Sequence, residues 1–134
     1  MSQANVDLVL AFHAAYNARE LDAAVDLCGA DVNVFPDASV FPESSSLVGR
    51  DELRHFLEET WAAWASGEVT PREVLDIGDA RVLVRADWGA TGTVSGVETH
   101  TNITTVATAR NGLISRLQWF FDHDQALKAV GLAE

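Results

Sequence analysis

The sequence predicts an α+β fold, with helices packed on one face of a four- to six-stranded, largely antiparallel sheet. Apolar residues recur at helical spacing in the first half of the chain, whereas the second half alternates with the period of a strand. Turn signals that contain glycine separate these later segments. Helices followed by consecutive hairpin-linked strands are the pattern of an α+β domain.

The length and charge of the chain limit what it does. Its 134 residues suit one core, so we expect a single domain over residues 1–134. The net charge of -11 opposes binding to nucleic acid or to anionic membranes. The N-terminal stretch MSQANVDLVLAFHAAYNARE has no basic region and is too short to span a bilayer. We therefore expect a cytoplasmic protein with neither partner.

Two short helices are predicted at the N terminus, over residues 5–17 and 21–29, and together they form a helical hairpin. The apolar stripe of the first helix also carries His13 and Tyr16. The second helix includes Cys28, which we interpret as a small buried hydrophobic residue. A nucleophilic cysteine is the alternative, but no histidine or lysine lies near it in sequence.

A short strand is expected at residues 32–35, and two prolines interrupt the Ser-rich loop that follows over residues 36–48. A third helix begins at Asp51 and is ended by Gly67. Its periodicity is the clearest in the chain. The apolar face of this helix carries Leu53, Phe56, Leu57, Thr60, Trp61 and Trp64.

The second half of the chain predicts four strands and a final helix. The strands are placed at residues 69–77, 80–89, 97–109 and 112–121, and the helix at residues 123–130. A GD pair, a Gly-rich link over residues 90–96 and an NG pair separate the strands. Alternation gives each long strand one apolar, aromatic face, and four tryptophans fall on predicted inward faces.

These segments, in this order, resemble the nuclear transport factor 2-like superfamily and, within it, the SnoaL-like domains. The resemblance covers nearly the whole chain and rests on the stretches FHAAYNARELDAAVDLCGADV, VGRDELRHFLEETW, RVLVRADWGATGTVSGVE, ARNGLISRLQWFFD and QALKAVGL. It implies a cone, in which a strongly curved sheet wraps around the helices and leaves an internal apolar pocket. Members include ketosteroid isomerase, scytalone dehydratase, limonene epoxide hydrolase, polyketide cyclases and non-catalytic modules, so the fold alone does not select a function.

The resemblance does not extend to the catalysts of ketosteroid isomerase, which are a carboxylate base and an oxyanion hole of tyrosine and protonated aspartic acid. An ungapped alignment puts Phe12 at the position of the tyrosine, Pro36 near the base and Thr105 in place of the aspartic acid. Tyr16 and Asp37 replace them only if the alignment shifts. The resemblance to limonene epoxide hydrolase fails similarly, because a tryptophan stands at the position of one of its acids.

SnoaL-like cyclases use a His and an Asp near the end of the sheet, without metal or cofactor, and strand position favours Asp122 and His100. Asp122 also precedes a helix and is a preferred N-cap, and the two roles are compatible. The alignment turns Thr101, Ile103 and Thr105 towards the cavity, which places His100 on the outer face. The neighbouring histidine at position 123 is expected to point to solvent.

His13 is either a hydrogen-bonded core residue or a catalyst, and both interpretations remain open at this point. Tyr16 likewise has a ring for packing and a hydroxyl that needs a partner when buried. The histidines at positions 13, 55, 100 and 123 lack the spacing of a metal site. We therefore expect no metal and no cofactor.

The sequence thus predicts a SnoaL-like protein that binds a small hydrophobic, ring-containing molecule, with cofactor-free isomerisation, cyclisation or dehydration as its candidate chemistry. The alternative is a non-catalytic ligand-binding or dimerisation module whose tryptophans only fill the core. Val106 and Phe120 suggest an apolar outer sheet face, and hence a homodimer through that face. The candidate catalytic residues are His13, Tyr16, Asp37 and Asp122. The candidate ligand-binding residues are Phe12, Phe56, Trp61, Trp88, Thr105, Trp119 and Phe121.

Overall fold

The computed structural model describes residues 3–37 and 46–132, and over these residues it confirms the α+β fold. Six strands form one curved sheet in the spatial order β2-β1-β6-β5-β4-β3. The β1–β6 pair is parallel, and the other neighbours are antiparallel. In chain order the elements are α1 (Gln3–Asn17), α2 (Leu21–Asp26), β1 (Cys28–Phe35), β2 (Leu47–Val48), α3 (Gly49–Ala63), β3 (Trp64–Gly78), β4 (Arg81–Gly92), β5 (Glu98–Arg110), β6 (Leu113–Phe120) and α4 (His123–Ala129).

The hydrophobic core lies between the inner face of the sheet and the helices α1 and α3. Alternation along β4 builds this core, because Val82, Val84 and Ala86 are buried on the inner face. No helix in the described part of the chain is long and apolar enough to cross a membrane.

The final helix packs on the opposite face of the sheet from α1. Neighbouring residues of a strand point to opposite faces. In β5 the hydroxyl of Thr105 contacts His13 of α1, whereas that of Thr104 lies 2.8 Å from Nδ1 of His123 in α4. The expectation that the helices occupy one face is therefore wrong for α4, and His123 does not point freely to solvent. On this outer face Val106 is only 1% exposed within the single chain.

Three predicted boundaries differ from those observed. Cys28 was placed in a helix but begins β1, where it pairs with Ile114 of β6. Trp64 was placed on the third helix but begins β3, and Gly67 lies inside that strand and does not end the helix. The reason is the length of β4, which pairs with β3 as far as Trp64. A strand partner distant in sequence thus overrides the local helical periodicity.

Asn17, the last residue of α1, closes the free edge of the sheet. Its side-chain Nδ2 donates to the carbonyl oxygen of Val69, and its Oδ1 accepts from the N–H of Val69, at 2.8 and 2.7 Å. Val69 lies in β3, the edge strand, so both of its backbone groups point away from β4. The carboxamide therefore pairs with the strand as another strand would, and it protects part of an edge that is otherwise open.

Arg19 extends the same connection to the end of α3. It adopts a positive φ of 55° just after α1, and its guanidinium donates to the carbonyl oxygens of Trp61 and Trp64 at 3.1 and 2.6 Å. The last carbonyl groups of a helix have no partner within it, so this side chain satisfies one of them. The turn after α1 thus holds the junction between α3 and β3.

We predict that Asn17→Ala lowers the free energy of unfolding by about 2 kcal/mol, because it leaves two partly buried backbone groups of Val69 unpaired. Urea unfolding followed by circular dichroism measures this loss. The matched control is Asp22→Ala, which removes an exposed ion pair with Arg54 and should cost much less stability than Asn17→Ala. Equal losses in the two variants would show that Asn17 does not hold the edge.

Candidate functional site

The inner face of the sheet, together with α1 and α3, borders a cavity of about 610 Å³, here called the inner cavity. Its walls come from β3, β4, β5 and the end of β6, with one side closed by α3. This volume falls within the range of small-molecule sites. The lining residues are Tyr16, Phe56, Thr60, Ala63, Trp64, Val69, Trp88, Thr99, Thr101, Ile103, Trp119 and Phe121.

Six of the residues lining the inner cavity are aromatic, and their rings hold one another in place. Phe56 stacks on Trp119 with a centroid distance of 5.7 Å. Trp88 meets Trp64 edge to face at 5.0 Å and Phe121 edge to face at 6.3 Å. These are the favourable geometries for aromatic pairs. The walls are therefore apolar, flat-sided and supported by their own contacts.

Tyr16 contributes a hydroxyl to the cavity from α1. Burial raises the pKa of this phenol, and the indole N–H groups of Trp88 and Trp61, together with the charge of Arg19, only partly oppose that effect. Tyr16 also packs against Trp61 at a centroid distance of 5.7 Å. The N–H of Trp61 is buried and has no partner within hydrogen-bond geometry, so Trp61 acts on the phenol only at longer range. Tyr16 is therefore a protonated phenol at neutral pH.

The other polar groups of the inner cavity are threonine hydroxyls. Thr60 donates to the carbonyl oxygen of Phe56 at 2.8 Å, one turn earlier in α3. Thr99 and Thr101 present hydroxyls from β5. Among the described residues, no Asp, Glu, His, Lys or Arg lines the cavity. The site is thus polar at a few points but carries no charge.

His13 lies behind the inner cavity and is fully engaged within the core. Its Nδ1 is 3.0 Å from the carbonyl oxygen of Val9, which only accepts, so Nδ1 carries the proton. Its Nε2 then accepts from the hydroxyl of Thr105 at 3.1 Å. Burial lowers the pKa of His13 to about 4, although the bond to Val9 acts in the opposite direction. The imidazole is neutral at physiological pH.

The two candidate aspartates also bind backbone groups. Asp37 accepts a hydrogen bond from the N–H of Phe121 at 2.9 Å and so fixes the end of β6. Asp122 is the N-cap of α4, where its side chain accepts from the N–H groups of Asp124 and Gln125. Neither carboxylate belongs to the lining of the inner cavity. Both carboxylates therefore stabilise the backbone around them.

His100 lies on the outer face, as the strand parity indicates, and borders a second depression of about 600 Å³, here called the outer groove. Register places Glu68, Gly89 and His100 side by side on three neighbouring strands. A Cβ at position 89 would lie 3.1 Å from Nδ1 of His100, so the glycine leaves room for the imidazole to lie against β4. Nearby, Arg72 forms an ion pair with Asp87 of β4. His100 is thus separated from the inner cavity by the sheet itself.

The ligand-binding residues expected from sequence divide into two groups. Those that line the inner cavity are Phe56, Trp88, Trp119 and Phe121. Those that lie behind its lining are Phe12, Trp61 and Thr105, of which Phe12 and Thr105 are buried in the core.

Several lining residues were absent from the expected set. Trp64 is one of them, and it lines the cavity from β3 and not from the predicted third helix. Thr101 and Ile103 were already placed inward by strand parity, which was the available signal. The register of three strands places Val69 opposite Trp88 and Thr99 opposite Ala90, and so brings both to the cavity. Their positions needed the tertiary structure.

Within residues 3–37 and 46–132, no group of three or more His, Cys, Asp or Glu side chains is arranged to hold a metal ion. Cys28 is buried, and desolvation raises the pKa of its thiol to about 12. The chemistry open to the inner cavity is therefore that of hydroxyl groups, indole N–H groups and aromatic surfaces.

The curved sheet over helices defines the α+β class of the fold, and the sequence identifies the family. The profile of the SnoaL-like domain matches residues 9–117. The chain therefore belongs to the SnoaL-like domain family. A comparison with curated protein sequences finds no match.

Solved structures share the fold at low sequence identity. The protein TerC, co-crystallised with polyporic acid, has a TM-score of 0.80 and 18% identity, over 96% of this chain and 99% of TerC. A ketosteroid isomerase-like protein from Catenulispora acidiphila, in complex with trimethylamine, has a TM-score of 0.75 and 19% identity, over 93% and 92% of the two chains. A protein from Jannaschia, provisionally described as a SnoaL-like polyketide cyclase, has a TM-score of 0.78 and 15% identity, over 100% and 98%. At these identities the likeness establishes the fold.

We predict that His13 makes stability fall as the pH drops from about 6.5 to about 4. In this window the unfolded chain binds a proton at His13 that the native core excludes, so the free energy of unfolding decreases by about 3 kcal/mol. Denaturant unfolding at several pH values would measure this slope in the wild type and in His13→Gln, whose side chain does not titrate.

His55→Gln is the control for this measurement, because His55 is an exposed histidine on α3. His13→Gln should have a shallower slope than both the wild type and His55→Gln. Parallel slopes for the wild type and His13→Gln would mean that His13 is accessible to protons in the native state.

Proposed function

We propose that this protein binds a small hydrophobic, ring-containing molecule in the inner cavity. The observation that carries this proposal is the lining of the cavity. Six aromatic side chains surround about 610 Å³, and none of the described lining residues is charged. Flat rings that hold one another edge to face or stacked offer complementary surfaces to a planar ligand. Burial of apolar ligand surface against them provides the driving force.

Two structures of this fold were solved with small organic molecules, which is consistent with this proposal. TerC was co-crystallised with polyporic acid, and the protein from Catenulispora acidiphila was solved with trimethylamine. Both are small organic molecules bound by proteins of this fold. The ligand of this chain is proposed from its own lining, which favours a larger and flatter molecule than trimethylamine.

Catalysis has less support than binding. Acid–base chemistry needs a group within hydrogen-bond reach of the substrate. Of the four candidate catalysts, His13, Asp37 and Asp122 make hydrogen bonds to protein groups and do not line the inner cavity. Tyr16 does line it, so a cofactor-free isomerase or cyclase would depend on Tyr16 as its acid.

We also propose a homodimer that uses the part of the outer sheet face left free by α4. Leu83 and Val106 of this face are already buried within one chain, so they do not supply the contact. Leu75 of β3 pairs with Leu83 and is 40% exposed on the same face. The dimer is therefore proposed to form around Leu75, on the edge strand of the sheet.

For the ligand proposal, we predict saturable quenching of tryptophan fluorescence by planar aromatic ketones or phenols, because Trp64, Trp88 and Trp119 line the inner cavity. Thr101→Phe adds a ring inside the cavity and should weaken binding by about tenfold or more. His100→Phe adds the same ring to the adjacent residue on the outer face and should leave the affinity nearly unchanged.

Thermal unfolding of the three proteins establishes that each is folded before the titrations are compared. The proposal fails if folded wild-type protein gives no saturable response to any planar probe. It also fails if the two phenylalanine variants lose affinity equally, because the binding site would then not be the inner cavity.

For the dimer, we predict a molar mass in solution of twice the 14.5 kDa of one chain, measured by sedimentation equilibrium. Leu75→Asp should shift the protein to monomer, because it places a charge in the apolar contact. Val94→Asp is the matched control, since Val94 is fully exposed in the turn between β4 and β5. A wild-type protein that is monomeric at all concentrations would contradict the proposal.

A further inference from the structure

We propose that the ligand of the inner cavity is electrically neutral and directs a hydrogen-bond acceptor, such as the carbonyl oxygen of an aromatic ketone, at the hydroxyl of Tyr16. This inference rests on the proposed function and specifies the ligand class. Three features of the site support it: the free hydroxyl proton of Tyr16, the uses made of the neighbouring donors, and the absence of charge from the described lining.

The hydroxyl proton of Tyr16 is available to a ligand. Tyr16 lines the inner cavity, and no described residue accepts a hydrogen bond from its hydroxyl. Trp88, whose indole N–H acts to lower the pKa of Tyr16, lines the same cavity. A phenol hydroxyl carries one proton that it can donate to an acceptor. A buried donor without an acceptor costs free energy, and a ligand acceptor would recover it.

The protonation state supports the same direction. Burial raises the pKa of Tyr16, so at neutral pH and below the group is a protonated phenol that can act as a donor. By comparison, the Thr60 hydroxyl donates to the backbone of α3 and offers a ligand mainly its lone pairs. Tyr16 is therefore the stronger orienting donor of the two.

The described lining of the cavity offers no opposite charge to an ionised ligand. No charged side chain among the described residues faces the inner cavity. The nearby cation, Arg19, donates to the carbonyl oxygens of Trp61 and Trp64 and lies outside the lining. An anion would lose its hydration without a counter-ion, and the net charge of -11 opposes its approach. A neutral acceptor avoids both costs.

The test uses three probes of nearly equal shape, measured by isothermal titration calorimetry with the full chain. They are 2-acetylnaphthalene, which is neutral with an acceptor, 2-ethylnaphthalene, which has no acceptor, and 2-naphthoate, which is an anion. At pH 7 we expect the ketone to bind about tenfold more tightly than the hydrocarbon. We expect the carboxylate to bind at least about tenfold more weakly than the ketone.

The variant Tyr16→Phe keeps the ring and removes only the hydroxyl. It should abolish the preference for the ketone over the hydrocarbon while leaving the affinity for 2-ethylnaphthalene within about twofold of the wild type. His100→Phe, changed on the outer face, should retain the wild-type preference. A uniform loss of affinity for all probes in Tyr16→Phe would indicate a packing role only, and would overturn the assignment of Tyr16 as donor.

The remaining outcomes separate this inference from the proposed function. If the ketone and the hydrocarbon bind the wild type equally, the acceptor is not recognised, although the cavity still binds rings. If 2-naphthoate binds as tightly as the ketone, the requirement for a neutral ligand is wrong. If none of the three probes binds to folded protein, the proposed function fails and this inference fails with it.

Discussion

The contact on which the rest of the structure depends is the pairing of the Asn17 carboxamide with the backbone of Val69. An edge strand exposes N–H and C=O groups that must be satisfied or protected. Here a side chain at the end of α1 satisfies both groups of one edge residue, so the helix is held at a fixed height against the sheet. Because Tyr16 immediately precedes Asn17 and Val69 itself lines the inner cavity, the same contact sets one wall of the site. Structure and site therefore share one anchor.

The ionisable groups that the sequence makes most conspicuous are committed to structure. His13 is a neutral imidazole with a hydrogen bond at each ring nitrogen, and it joins α1 to β5. Asp37 binds the backbone at the end of β6, and Asp122 is the N-cap of α4. Each of these bonds satisfies a backbone or buried polar group that would otherwise be costly. The consequence is a cavity whose described lining consists of rings, methyl groups and hydroxyls. Such a site selects by shape and by a small number of hydrogen bonds, and it gives little opportunity for proton transfer.

The two faces of the sheet differ because side chains alternate along β4 and β5. Inner residues such as Trp88 and Thr101 face the cavity, while their outer neighbours support α4 or border the outer groove. On the outer face α4 packs against β5 and β6, and Leu83 and Val106 of this face are buried without a second chain. This reduces the apolar area available for association and moves any dimer contact towards the edge strand at Leu75.

The sequence by itself determined the α+β class, the family resemblance, most element boundaries and the inward parity of Thr101 and Ile103, because these depend on local periodicity and turn chemistry. It also indicated the N-cap role of Asp122, which is a local preference. Only the tertiary structure decided that Trp64 belongs to a strand, that α4 lies on the outer face, and that His13 and Asp37 have partners far along the chain. It also removed Phe12 and Thr105 from the cavity lining. These features depend on the register of β3, β4 and β5 and on contacts between residues that are distant in sequence, which no local pattern encodes.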